Sequence, residues 1–322
     1  MFGQMRLMDA ADVAKVTNVA SVPHRSPFRY PGGKTWLVPE VRRWLASLPA
    51  RPRVFCEPFC GGATVGLSAL FEGLTDTLTL IELDEDVAAV WETILNGQAD
   101  ELIDRIGRFQ ISHESVRGVL DGAYRGLEER AFATIVRNRV QRGGILAPGA
   151  SLMKHGENGR GLASRWYAET LQNRIRQIHA RRANITFIHG DGIEYMRSNA
   201  DRRDMVFFVD PPYTVAGRRL YVHSDIDHEG LFRVASTLQG DFLMTYDEAR
   251  PIRDLAAQFG FVVHTVPMKN THHRIMRELL IARHVGWARG EARELRQDAL
   301  LEFSQTDGAP GDKAVHRFFE GS

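Results

Sequence analysis

Cysteine is nearly missing from this chain of 322 residues. Cys56 and Cys60 are too few for a disulfide framework or a cysteine-rich zinc site, and in C-E-P-F-C they read as small apolar side chains. No apolar run approaches the roughly 18 residues of a membrane span, so no transmembrane helix is expected. The opening MFGQMRLMDAADVAKVTN lacks the continuous apolar core of a signal peptide, which makes the cytoplasm the default expectation. The Walker spacing G-x-x-x-x-G-K-[ST] and the strict G-x-G-x-x-G are both missing, which speaks against a P-loop nucleotidase and a nicotinamide dehydrogenase. Charge of one sign is also missing: 41 basic residues face 40 acidic ones, so the chain is no uniformly basic nucleic-acid binder.

The distribution of charge says more than its sum. From Arg130 to Arg182 there are ten arginines and one lysine against two acids, Glu157 and Glu169, an excess of nine, which leaves about eight net negative charges elsewhere. A basic module beside an acidic remainder suits a protein that meets phosphates on one face. Surface arginines paired with acids from elsewhere are the plainer reading.

Met205–Tyr213 reads M-V-F-F-V-D-P-P-Y. Five apolar residues, mostly β-branched or aromatic, predict a strand buried on both faces. Pro211 and Pro212 lack the N–H a ladder needs, so the chain leaves the sheet there and Asp210 stands at the strand's carboxyl end, where open α/β sheets bind ligands. Asp210 and the Pro211 carbonyl can each accept a hydrogen bond from an exocyclic amine, while Tyr213 offers a face to the ring that bears it. A strand-ending turn in which Asp210 caps and Tyr213 packs is the bland alternative.

Four earlier stretches build toward the same edge. F-R-Y-P-G-G-K (Phe28–Lys34) is a turn leading into a helix with Leu37, Val38, Val41 and Leu45 at helical spacing. A helix start disfavours a cation, so Lys34 calls for a local anion, such as a ligand carboxylate. V-F-C-E-P-F-C-G-G-A-T-V-G-L (Val54–Leu67) is a strand, a glycine turn and a helix, the first unit of a nucleotide-binding half. T-L-T-L-I-E-L-D-E-D (Thr77–Asp86) predicts a second strand ending in Asp84, where such folds bind ribose hydroxyls; Asp84 or Asp86 can instead cap the following helix. N-I-T-F-I-H-G-D (Asn184–Asp191) predicts a further strand.

F-V-D-P-P-Y resembles the catalytic motif of amino-methyltransferases acting on adenine N6 or cytosine N4. With Y-P-G-G-K, E-P-F-C-G-G, I-E-L-D and H-G-D in that order, and R-E-L-L-I-A-R late in the chain, residues 26 to 283 resemble the Dam-like, or D12, class of adenine-N6 DNA methyltransferases. The resemblance implies S-adenosylmethionine as methyl donor, no metal, and a Rossmann-like α/β methyltransferase sheet carrying an inserted, mainly helical target-recognition module. It places donor contacts on Tyr30, Lys34, Glu57, Phe59, Gly61, Gly62, Asp84, Asp191 and Asp210, and catalysis on Asp210, Pro211, Pro212 and Tyr213. The family's F-x-G-x-G is here F-C-G-G-A, a departure at Ala63.

The resulting division is a lead-in (1–24), a catalytic domain (25–94 and 181–287), a recognition module (95–180) and a tail (288–322). Within the module, R-N-R-V-Q-R-G-G resembles a recurring family stretch and puts Arg137, Arg139 and Arg142 on DNA; Arg218 and Arg219 follow the catalytic motif and can hold the extruded nucleotide. The implied partner is double-stranded DNA with its target adenine flipped out, with no membrane, and restriction–modification would add a cognate endonuclease acting independently. Three rival readings stand beside this one: cytosine N4, adenine in RNA, and a non-catalytic DNA-binding protein on the same scaffold. Intact Lys34, Asp84, Asp210 and Tyr213 argue against the last.

Overall fold

The structure is a computed structural model, and it describes residues 22–29, 33–146, 150–153, 159–212, 226–269 and 275–289. Seven strands form one sheet: β1 (Val54–Glu57), β2 (Thr77–Glu82), β3 (Ile185–His189), β4 (Met205–Val209), β5 (Phe242–Asp247), β6 (Val262–Lys269) and β7 (Ile275–Ala282). Their order is β3-β2-β1-β4-β5-β7-β6, with the first five parallel and β7 antiparallel to both its neighbours. The chain therefore builds outward from β1 to β3, returns to lay β4 beside β1, and builds the other way. The reversal opens a crevice at the carboxyl ends of β1 and β4, which are Glu57 and the residue after Val209, Asp210.

β4 shows why those five apolar residues form a central strand. Side chains alternate across a sheet, so Val206 and Phe208 enter one core, while Met205, Phe207 and Val209 enter the other. The first core is closed by α1 (Val38–Ser47), α2 (Thr64–Phe71) and α3 (Glu85–Leu95), with Trp44, Leu67 and Trp91 fully buried. The second is closed by α8 (Gly192–Ser198), α9 (His228–Thr237) and α10 (Arg250–Gln258), through Met196, Phe232 and Ile252. Both cysteines are buried free thiols within these cores.

Between α3 and β3 lie α4 (Ala99–Arg108), α5 (His113–Leu120), α6 (Leu127–Val140) and α7 (Ala168–Ala180). Their apolar residues, among them Ile106, Ile135, Val136 and Ile175, run without a break into the core on the α3 face. Arg137 Nη1 reaches Asp86 Oδ2 at 2.5 Å and its Nη2 donates to the Tyr124 hydroxyl, while Arg130 pairs with Glu85 and Asp86. Part of the basic excess thus fastens α6 to the start of α3. Among the described residues no helix is long and apolar enough to cross a membrane.

Candidate active site

At the crevice the β4 register sets the neighbours. Val209 pairs with Met244 of β5, so Asp210 comes level with Thr245, and the Thr245 hydroxyl donates to Asp210 Oδ1 at 2.7 Å. β7 runs back along β5 with Glu278 opposite Asp247. Lys34 enters from the turn before α1 and bridges the two: its Nζ lies 2.9 Å from Asp210 Oδ1 and 3.0 Å from Glu278 Oε1. Lys34 and Glu278 are buried. Burial works against the lysine's charge, but Asp210 and Glu278 outweigh it and hold the ammonium above the ordinary lysine range. The anion that the sequence demands for Lys34 is therefore the protein's own pair of carboxylates.

Glu57 ends β1 beneath this group. Its carboxylate accepts from the Gly66 amide in α2, and burial, with Asp210 nearby adding to it, pushes its pKa up to about 8. The turn from Phe59 to Ala63 then passes over the sheet edge, with Phe59 packed partly against the second core. Gly61 (φ 44°) and Ala63 (φ 48°) both adopt left-handed backbone. At Ala63, where the family pattern has glycine, the chain keeps the glycine conformation at a cost of about 1–2 kcal/mol.

β2 stops at Glu82 rather than at Asp84. Glu82 Oε2 accepts from the Gly61 amide at 2.9 Å and Oε1 from the amides of Leu83 and Asp84, both at 3.0 Å. Enclosure pushes its pKa up to about 7 against those hydrogen bonds. Asp84 caps α3, accepting from the amides of Asp86 and Val87. Asp86 is held by Arg130 and Arg137. Asp191 caps α8 through the amides of Ile193 and Glu194. A Cβ on Gly192 would stand 1.9 Å from the Pro58 carbonyl oxygen, so only glycine lets Asp191 approach the β1 turn this closely.

The structure thus brings Lys34, Glu57, Gly61, Gly62, Asp84, Asp191, Asp210, Pro211 and Pro212 to one sheet edge. Tyr30, Tyr213, Arg218 and Arg219 lie outside the described residues. The proposed DNA arginines are not alike. Arg137 is tied to Asp86, Arg139 is 4 % exposed with its Nη2 on the Pro27 carbonyl at 2.7 Å, and Arg142 is exposed. Sequence reasoning missed Glu278, Thr245 and Glu82. The available signal was a polar residue inside an otherwise apolar strand run, as in R-E-L-L-I-A and F-L-M-T-Y. Beside Glu82, Leu83 exposes 44 % of its surface, an apolar side chain left open at a polar edge.

Strand order and edge define the class, a Rossmann-like S-adenosylmethionine-dependent methyltransferase fold. Residues 30–118 match the sequence model of the D12 class N6 adenine-specific DNA methyltransferase family, which bears out the motif resemblance over that segment and supports a methyltransferase. Solved structures similar to the chain include three methyltransferases. The first is the rRNA methyltransferase aviRa from Streptomyces viridochromogenes (15% identity, 86% of this chain and 94% of that one, TM-score 0.37). The second is the precorrin-6y C5,15-methyltransferase from Geobacter metallireducens (10%, 76% and 85%, 0.34). The third is M. capricolum TrmK with S-adenosyl-homocysteine (6%, 76% and 68%, 0.34). All three scores are low, so the fold rests on the strand order itself. Among curated proteins, none matches the chain.

Proposed function

We propose that the protein is a site-specific DNA adenine-N6 methyltransferase that uses S-adenosylmethionine. One observation carries the reading: Asp210, opening D-P-P-Y at the switch point, is held at Oδ1 by both Lys34 and Thr245. A carboxylate fixed in this way, followed by a proline carbonyl whose direction Pro212 restricts, is built to accept the hydrogens of one planar amine.

The edge fits a nucleoside-bearing donor. It has a glycine turn in left-handed backbone, a strand-end acid on that turn, an exposed apolar Leu83 for a base, and Asp191 brought near by Gly192. Lys34, Glu57, Phe59, Gly61, Gly62, Asp84, Asp191 and Asp210, with Tyr30, would hold the donor, and Glu82 joins them. When bound, S-adenosylmethionine supplies a sulfonium methyl that needs no further activation. Asp210 and the Pro211 carbonyl accept from the adenine amine, drawing its lone pair out of conjugation and aiming it; Lys34 and Thr245 keep Asp210 from rotating. Catalysis on this reading is positioning and preorganised electrostatics. The base must leave the duplex at a cost of a few kcal/mol, which stacking on Tyr213 and phosphate contacts from Arg142, Arg218 and Arg219 offset. Arg137, tied to Asp86, then fixes α6 beneath these contacts, and Arg139 lines a cleft next to them.

The test is incubation of the protein with isotopically labelled S-adenosylmethionine and, separately, duplex DNA of diverse sequence and total RNA, followed by nucleoside analysis. Label in N6-methyladenosine from RNA, in N4-methylcytosine, or in neither polymer would overturn the proposal; label in N6-methyldeoxyadenosine within one sequence context is the expected result.

A further inference from the structure

A cleft of about 460 Å³ lies on the other side of the Lys34 turn, between the 22–29 segment, the start of α2, the end of α6 and the start of α7. Its polar lining carries four arginines, Arg25, Arg29, Arg139 and Arg174, with His24, Thr64 at the start of α2 and Tyr167 at the rim. No carboxylate lines it among the described residues. Arg139 is 4 % exposed, and its buried Nε has no partner among the described residues, although its Nη2 is taken by Pro27. Arg174 makes one hydrogen bond here, from Nη1 to the Ser26 carbonyl at 3.2 Å. Burial and the neighbouring arginines depress both guanidinium groups, Arg139 down to about 9, and they lower His24 as well. Arg139 and Arg174, enclosed among like charges with no acid lining the cleft among the described residues, carry a cost that an anion in the cleft relieves.

We propose that this cleft is a second ligand site that takes one phosphate of the DNA strand bearing the target base. The DNA source rests on the function proposed above; the phosphate chemistry does not. Two placements favour a substrate phosphate over a small free anion. Gly33 lines the cleft while the next residue, Lys34, contacts Asp210, so the cleft adjoins the reaction edge. The chain also carries exposed Arg142 three residues after Arg139 and exposed Arg160 seven residues before Tyr167, so further cations lie close in sequence to two lining residues. Arg174 presents a guanidinium suited to phosphate oxygens, and the buried Arg139 adds its charge and an Nε that has no partner among the described residues.

The full-length chain supports a test in two arms. In the first, inorganic phosphate is titrated into the wild-type protein while the His24 imidazole is followed by NMR. A saturable upward shift of its pKa is expected, absent from Arg174→Gln and weakened in Arg174→Lys; an unmoved His24 overturns the site. In the second, binding is measured for duplexes carrying single methylphosphonates around the methylated adenine. One neutralised phosphate should weaken wild-type binding about tenfold and have no further effect on Arg174→Gln, whose log–log salt slope falls by about one unit. Additive losses, or an Arg174→Gln variant with wild-type DNA affinity, overturn the DNA assignment. So does a variant that loses donor affinity alone, because the cleft would then serve the donor's carboxylate. A phosphate response in the first arm together with modified RNA, or no modified nucleic acid, supports the phosphate site while overturning DNA as its source.

Discussion

Two polar interiors lie on either side of the Lys34 turn, and they solve the burial of charge in opposite ways. At the sheet edge one ammonium sits between two carboxylates, with Thr245 on the same oxygen of Asp210. In the cleft Arg139 and Arg174 meet backbone carbonyls and one another's fields, and no acid lines the wall among the described residues. The first holds its cation on the protein's own carboxylates, so its geometry exists before any ligand arrives. The second encloses like charges with no acid in its lining among the described residues, and on the proposal above it takes an anion from outside. A catalytic carboxylate gains from the first arrangement, and a binding site for a polyanion gains from the second.

Removing the cation from the sheet edge should have the largest effect. Lys34→Met leaves buried Glu278 and half-buried Asp210 without their cation, and breaking a buried pair costs about 3–5 kcal/mol. Urea denaturation at pH 8 should show a loss of that size. Lys34→Met with Glu278→Gln should recover a large part, because no uncompensated pair remains. A single variant as stable as wild type would show that the ion pair holds nothing in place.

Donor binding sharpens the contrast one strand further along. Glu82 holds the glycine turn from the end of β2, while Asp84 caps α3. Glu82→Ala should weaken S-adenosylmethionine binding about tenfold or more, whereas Asp84→Asn, which keeps a capping oxygen, should change it less than threefold. Calorimetry giving the reverse order would make Asp84 the stronger of the two donor contacts.

Glu57 is a third way of burying an acid, with an amide and a proton instead of a cation. Its folded pKa of about 8 lies above the ordinary 4.5, so the unfolded chain releases this proton first as pH rises. The residue therefore costs nothing below about pH 4.5, and stability falls progressively from there up to about pH 8. Glu57→Gln should flatten that fall and raise Tm by a few degrees at pH 8.5 while leaving it nearly unchanged at pH 5. An equal effect at both pH values would mean that Glu57 is charged in the fold.

The sequence made one half of this picture legible. An unbroken apolar run ending in D-P-P could only be a central strand delivering Asp210 to the sheet's carboxyl edge, and β4 does that. The order of motifs likewise foretold the parallel half of the sheet. What it hid were partners set by strand order. Glu278 meets Lys34 because β7 inserts between β5 and β6, a pairing that no local spacing encodes. Glu82 was hidden for a smaller reason, since a strand end two residues early exchanges the acid that faces the turn for the one that caps a helix. Basic residues counted along the chain looked equivalent, yet burial separates Arg139 from Arg142 only three positions away, because α6 turns one inward and ends before the other.

On the proposed function, Asp210 acts on the target amine from a preorganised position. Single-turnover methyl transfer to a DNA duplex, with donor and duplex saturating, tests it most directly in Asp210→Ala, after circular dichroism and thermal melting confirm a folded variant that still binds the duplex. No N6-methyldeoxyadenosine above background is expected at any substrate concentration; transfer within tenfold of the wild-type rate would show that Asp210 does not act on the amine.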